Sequence, residues 1–211
     1  MNGRREAIGR RFARFVTRVV VARPGLWRVF RRPLRAEFDR LAPVWDGVIG
    51  PERLAPLTAA LERIEGQPAT VLDVGTGTGK AAVVTAERFP AAEVVGVDLS
   101  PGMIEQARSL LPSELEGRVR FEVADASALP FEDGAFELVV LLNMIPFFDE
   151  LGRVTAAGGT VVAVAVSGPS TPIWTPPETL RARLEPLGFD RFDELQAGEG
   201  TAFLAHRAKP E

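Results

Sequence analysis

Cysteine and tyrosine are both absent from this chain, and histidine occurs once, as His206. Without cysteine there is no disulfide and no thiolate metal site, and no metal is expected. With tyrosine missing as well, few side chains remain that could move a proton near neutral pH. No apolar run is long enough to span a bilayer, and no stretch resembles a secretory signal. A cytoplasmic chain is therefore the expectation, with peripheral membrane contact left open. Internal repeats are also lacking. What is present is a hydrophobic fraction of 46% over 211 residues, enough to bury one full core. A single catalytic-size domain with an N-terminal extension follows, divided at residues 1–50 and 51–211.

Residues 71–80 read Val-Leu-Asp-Val-Gly-Thr-Gly-Thr-Gly-Lys. A short apolar strand delivers Asp73 to its carboxyl end, three alternating glycines turn the chain, and a helix begins at Lys80. Alternating glycines let the backbone adopt positive φ and pass close to a ligand. The helix N-terminus behind them favours an anionic group. The dinucleotide fingerprint G-x-G-x-x-G/A fails because Lys80 stands where its third small residue belongs. The P-loop fails because Val74 replaces its first glycine and Ala81 its metal-binding hydroxyl. A tight turn in some unrelated α/β protein is the bland alternative.

Further motifs follow in order. Residues 93–98 form a second buried strand ending in Asp98, and Ser100-Pro101 reads as an N-cap followed by proline at the first helical position. A third strand, 119–123, closes on Asp125-Ala126. The passage Leu-Pro-Phe-Glu-Asp-Gly-Ala-Phe at 129–136 leads into a fourth. Together these resemble class I S-adenosylmethionine-dependent methyltransferases from about Phe38 to Ala208. The resemblance implies S-adenosylmethionine as cofactor, held at the glycine turn by Asp73, Gly75, Thr76, Gly77 and Gly79. It implies ribose contacts at Asp98 and Leu99, an apolar side chain near the adenine at Met103, and an adenine contact at Asp125 and Ala126. Residues 38–46 resemble the F-D-x-x-A-x-x-Y-D element of small-molecule and quinone methyltransferases, with Trp45 in place of tyrosine. Trp45 is then either a wall of the cofactor pocket or an aromatic packed beneath the extension.

A glycine turn at 158–159 feeds a fifth strand to Val166, a helix spans 177–187, and two strands near 192–195 and 201–205 close the chain. Strands alternating with helices imply a parallel sheet covered on both faces. The fold expected is a doubly wound, mostly parallel, seven-stranded Rossmann-like methyltransferase sheet with an antiparallel C-terminal strand and an N-terminal helical extension.

The extension has its own character. Within residues 1–40, twelve arginines stand against Glu6, Glu37 and Asp39, about +9 in a chain whose net charge is −3. Ile8, Phe12, Phe15, Val16, Val19 and Val20 share one helical face, and Arg10, Arg11, Arg14 and Arg18 the other. Pro24-Gly25 should end this helix, and a second short one should end at Pro33. The pattern fits an amphipathic cap on the domain or an interfacial helix on anionic lipid through residues 1–35. Nucleic acid is not expected, because the rest of the chain is acidic. The lack of serine argues against a transit peptide.

Chemistry is less legible. Methyl transfer needs acceptor and methyl held close, aligned and dry, so a general base is optional. After the fourth strand, Asn143 is the best candidate for a cofactor contact, and Asn143 and Asp149 are weak catalytic candidates. Glu150 also fits capping or solvation, and His206 lies far from the ligand-binding edge. The short segments at 143–158 and after strand five imply a reduced lid over a small, apolar acceptor. A SAM-binding sensor without catalysis is the alternative, and a nicotinamide dehydrogenase a remote third. Oligomeric state is open.

Overall fold

The computed structural model describes residues 3–209, with side chains from residue 9 onward. Ile8 therefore lies outside the described side chains. Two helices open the chain, α1 (Gly3–Ala22) and α2 (Trp27–Trp45), and α3 (Ala55–Glu62) leads into the sheet. Then β1 (Thr70–Val74), α4 (Lys80–Arg88), β2 (Glu93–Asp98), α5 (Pro101–Leu110) and β3 (Val119–Val123) alternate. They are followed by β4 (Phe136–Leu142), α6 (Phe148–Val154), β5 (Thr155–Ala165), α7 (Pro177–Leu184), β6 (Phe189–Ala197) and β7 (Gly200–Arg207).

The seven strands run in the order β3-β2-β1-β4-β5-β7-β6. All ladders from β3 to β5 are parallel, and β7 lies antiparallel between β5 and β6. The expected doubly wound sheet is therefore the observed one. Side chains of β1, β2 and β4 alternate between two cores, as a sheet buried on both faces requires. Leu72, Val95, Val139 and Leu141 face a core shared with α1, α6 and α7. Val71, Val94, Leu138 and Val140 face one shared with α3, α4 and α5. Chain order reverses between β1 and β4, which places the switch-point crevice beyond their carboxyl ends.

Two expectations need correction. The second N-terminal helix does not end at Pro33: α2 continues through Pro33 and Pro43 to Trp45. Trp27, Phe30, Leu34, Phe38, Ala42 and Trp45 recur at helical spacing across both prolines, and that side faces the protein. The packing outweighs two missing N–H donors. The apolar face of α1 is also divided. Val16 and Val20 are buried, whereas Phe12 and Phe15 are 46% and 55% exposed. Smaller differences concern ends. The β5 strand starts at Thr155, ahead of the Gly158-Gly159 turn, with a register shift against β4. The final hairpin strands are longer than the local pattern suggests.

Close packing sets where the glycine turn can sit. A Cβ on Gly96 of β2 would lie 2.6 Å from both Phe121 Cδ1 and Thr76 Oγ1. Gly96→Ala should therefore destabilise the chain by about 1–3 kcal/mol, read as a lower urea midpoint with an unchanged slope.

Candidate cofactor site

The β1 strand ends at a turn in which Gly75, Gly77 and Gly79 have φ of 73°, 55° and 88°, conformations that a side chain disfavours. Gly75 and Thr76 N–H donate to Val97 O at 2.8 and 2.9 Å, pinning the turn to β2. Thr76 Oγ1 donates to Asp73 Oδ2 at 2.6 Å. Asp73 Oδ1 is buried with no partner among the described residues. Burial pushes the Asp73 carboxyl up to about 7, against the hydrogen bond from Thr76. At the tip of β2, Asp98 accepts from Gly77 N–H at 3.0 Å and Ser100 N–H at 2.9 Å. Burial raises its pKa too, in part against those bonds. Each Asp98 oxygen keeps acceptor capacity for a further donor.

Beyond β3, Asp125 is more heavily engaged. Its Oδ1 accepts from Trp27 Nε1 at 2.8 Å, Ser127 N at 3.0 Å and Ser127 Oγ at 2.7 Å, and Arg31 reaches Oδ2 at 3.2 Å. Burial alone would raise its pKa, but the bonds from Ser127, Trp27 and Arg31 outweigh it and lower it. Leu99 packs partly buried against the core, while Met103 and Ala126 are buried. Ser100 caps α5, its Oγ accepting from Met103 N.

The α2 helix runs along this edge from one end to the other. Near its start Trp27 meets Asp125 and packs edge-on against Phe147, centroids 5.3 Å apart. In its middle Asp39 Oδ1 accepts from Ser100 Oγ at 2.6 Å and Gly102 N at 3.1 Å. At its end Trp45 stands over the turn, its Nε1 3.3 Å from where a Gly77 Cβ would be. Just beyond, Asp46 accepts from Thr78 Oγ1 at 3.1 Å. Lys80 donates to the carbonyls of Asp46 and Ile49, so it anchors this segment to α4. A Cβ on Gly75 would lie 2.6 Å from Met144 Sδ.

The structure thus brings Asp73, the three glycines, Thr76, Asp98 and Trp45 together. Asn143 has a structural bond of its own at this edge. It is the one described non-glycine residue with positive φ, at 52°, and its Oδ1 accepts from Val166 N at 3.1 Å, tying β4 to β5. Asp149 is exposed in the first turn of α6. Glu150 is held by Arg153 at 2.8 Å and caps Leu129 N–H at 2.6 Å. His206 lies between Thr160 and Asp193, opposite the middle of β5 and away from its carboxyl end. Sequence reasoning missed Trp27, Arg31, Asp39 and Met144. The continued apolar spacing through Pro33 was the signal for the first three.

Residues 71–159 match a family model described as "Methyltransferase domain". The demethylmenaquinone methyltransferase of Thermus thermophilus is 43% identical over 50% of this chain and 51% of its own. The malonyl-[acyl-carrier protein] O-methyltransferase of Geobacter sulfurreducens is 39% identical over 63% of this chain and 50% of its own. Over residues 71–159 the chain carries an S-adenosylmethionine-dependent methyltransferase domain. It spans about half the length of these curated relatives. Among solved structures, a SAM-dependent methyltransferase from Aquifex aeolicus shares the fold at TM-score 0.64 and 19% identity, covering 77% of this chain and 96% of that one. The [4+2]-cyclase SpnF shares it at 0.67 and 18%, covering 84% and 96%.

S-adenosylmethionine is the cofactor of the methyltransferase domain, and the residues present fit it. The positive-φ glycines give a cradle free of Cβ atoms, Asp73 Oδ1 is a buried acceptor without a partner, and Asp98 retains lone pairs at the neighbouring strand tip. Met144 lies against the cradle at Gly75, Trp45 of α2 at Gly77, and Phe121 of β3 at Gly79.

The raised Asp73 pKa carries a sign. Between the unfolded value near 4 and the folded value of about 7, the folded domain binds more protons, so stability from this group falls as pH rises through that window. Asp73→Asn removes the effect. From pH 5 to 8 the variant should gain about 1 kcal/mol or more relative to the native chain in urea unfolding. A constant difference would show that Asp73 titrates normally.

Proposed function

We propose that the chain is a methyltransferase acting on a small, apolar acceptor, with residues 1–50 capping the catalytic unit formed by 51–211. The supporting observation is a cavity of about 320 Å³ beside the carboxyl ends of β4 and β5. Leu141, Met144, Pro146, Ile173, Trp174 and Phe203 line it, and Glu194 is its one ionisable lining residue. Met144 lies in this wall and also against Gly75, so the cavity adjoins the glycine turn. An apolar lining with few polar groups suits a flat, weakly polar acceptor. Two of the relatives above carry a quinone precursor and a carrier-bound malonyl group in their names.

In this reading Asp98 receives the ribose hydroxyls, Asp125 the adenine amine, and the turn from Asp73 to Gly79 the methionine end. S-adenosylmethionine supplies a methyl already activated on sulfonium. The protein holds the acceptor in line and excludes water, so positioning carries much of the rate. Glu194, the one carboxylate in the lining, lies 3.7 Å from Arg181. An acceptor that is itself nucleophilic, such as an enol or a phenol, suits such a cavity. Asn143 positions β4 against β5, and Asp149 stays in solvent outside this cavity.

The extension suits peripheral contact with an anionic membrane from a cytoplasmic location. Arg10 and Arg14 donate to Ser170 O and hold α1 on the loop before α7. Phe12, Phe15 and Val29 remain exposed among Arg11, Arg18, Arg28 and Arg32. Aromatic rings amid guanidinium groups match an anionic bilayer surface. No helix among the described residues is long and apolar enough to cross a membrane.

Labelled S-adenosylmethionine with reduced naphthoquinones and malonyl thioesters tests the activity, and absence of product from all of them refutes it. Ala163→Phe fills the cavity and should cut kcat/KM about 10–100-fold without changing cofactor affinity. Asp98→Asn should raise the cofactor Kd by about tenfold or more in calorimetry. Phe12→Ser with Phe15→Ser should abolish sedimentation with phosphatidylglycerol vesicles and leave unfolding within ~0.5 kcal/mol of native. Equal sedimentation of variant and native protein removes the membrane reading.

A further inference from the structure

The start of α2 treats the Asp125 carboxylate as a ligand would. Trp27 presents a flat bicyclic ring with a single N–H, and that N–H meets Asp125 Oδ1 at 2.8 Å. The same ring is 7% exposed and leans edge-on against Phe147 from the β4–α6 loop. Together with both Ser127 donors it leaves Oδ1 with three hydrogen bonds, while Oδ2 carries one, from Arg31. An adenine amine arriving at this carboxylate would find Oδ1 filled. Nothing comparable crowds Asp98, whose two bonds come from the turn and from Ser100 rather than from α2.

We propose that Trp27 is an internal stand-in for the cofactor's adenine, so that the first turns of α2 must release Asp125 before the nucleoside can bind. This rests on the reading of Asp125 as the adenine acceptor. The exchange is one of like for like: an indole N–H and a flat ring leave, and an amine and a flat ring arrive. Cofactor affinity is then reduced by the fraction of chains in which α2 is closed. The closed state is favoured by one hydrogen bond to a charged acceptor together with the burial of Trp27. Arg31 adds little, because its side chain is about half exposed. The rest of α2 need not move far. Asp39 on Ser100 and Gly102, and Asp46 on Thr78, are separate anchors.

Trp27→Phe keeps an aromatic ring against Phe147 and deletes the N–H. In calorimetry with S-adenosylhomocysteine, this variant should bind about three- to tenfold more tightly than the native chain, with faster association in stopped flow. Unchanged or weaker binding overturns the proposal, the latter marking Trp27 as a wall that grips the nucleoside. Asp98→Asn, run alongside, separates the two levels. If it loses affinity while Trp27→Phe is neutral, the cofactor site stands and the stand-in falls. If Asp98→Asn binds as the native chain does, the site reading fails first. Hydrogen exchange on the native protein guards against a variant that folds poorly. Amides of residues 27–35 should lose protection on adding S-adenosylhomocysteine, and a gain there overturns the proposal.

Discussion

Everything at the carboxyl edge depends on one constraint: the glycine turn must lie flat on β2. Gly75 and Thr76 donate to Val97 O, Thr76 rests where Gly96 has no side chain, and Asp73 closes the loop from beneath. A buried carboxyl with an unpartnered oxygen is costly in a finished core. It is intelligible where a ligand or water completes the shell. Because the turn is fixed, Gly77 N–H can hold Asp98, and the two strand tips are set relative to each other before anything binds.

The second organising feature is α2, which crosses from one face of the sheet to the other. Its first residue belongs to the core with α1, α6 and α7, and its later turns rest on α5 at Gly102, where a Cβ would press on the Asp39 backbone. The extension is thus part of the wall of the crevice. Its arginines are placed at the surface while Trp27, Asp39 and Trp45 point inward. Charge outside and hydrogen bonding inside are separate properties of one helix.

The parts legible in sequence were those whose chemistry is local. Glycine alternation, the acid at each strand tip and the Ser100-Pro101 cap act over a few residues, and sheet order follows from alternation of strands and helices. The extension was misread because Pro33 is strong punctuation locally, whereas the contacts that carry α2 past it span long separations, 98 residues from Trp27 to Asp125. Phe12 and Phe15 share a helical face with Val16, yet the neighbouring surface reaches only part of that face. Asn143 has a residue type that suits either a ligand or a left-handed turn, and its positive φ and its bond to Val166 became visible only in the fold.

The two prolines of α2 carry a mechanical meaning. Each lacks the N–H that would bond four residues back, which weakens the helix ladder near Val29 and Asp39. The one helix keeps three separate grips on the domain: Trp27 and Arg31 on Asp125, Asp39 on the α5 terminus, Trp45 and Asp46 by the glycine turn. A helix with a weakened ladder between its grips can give up one of them while the others stay seated. On the proposed release of Trp27, the crevice would be uncovered from one end of α2 rather than by the swing of a single rigid door.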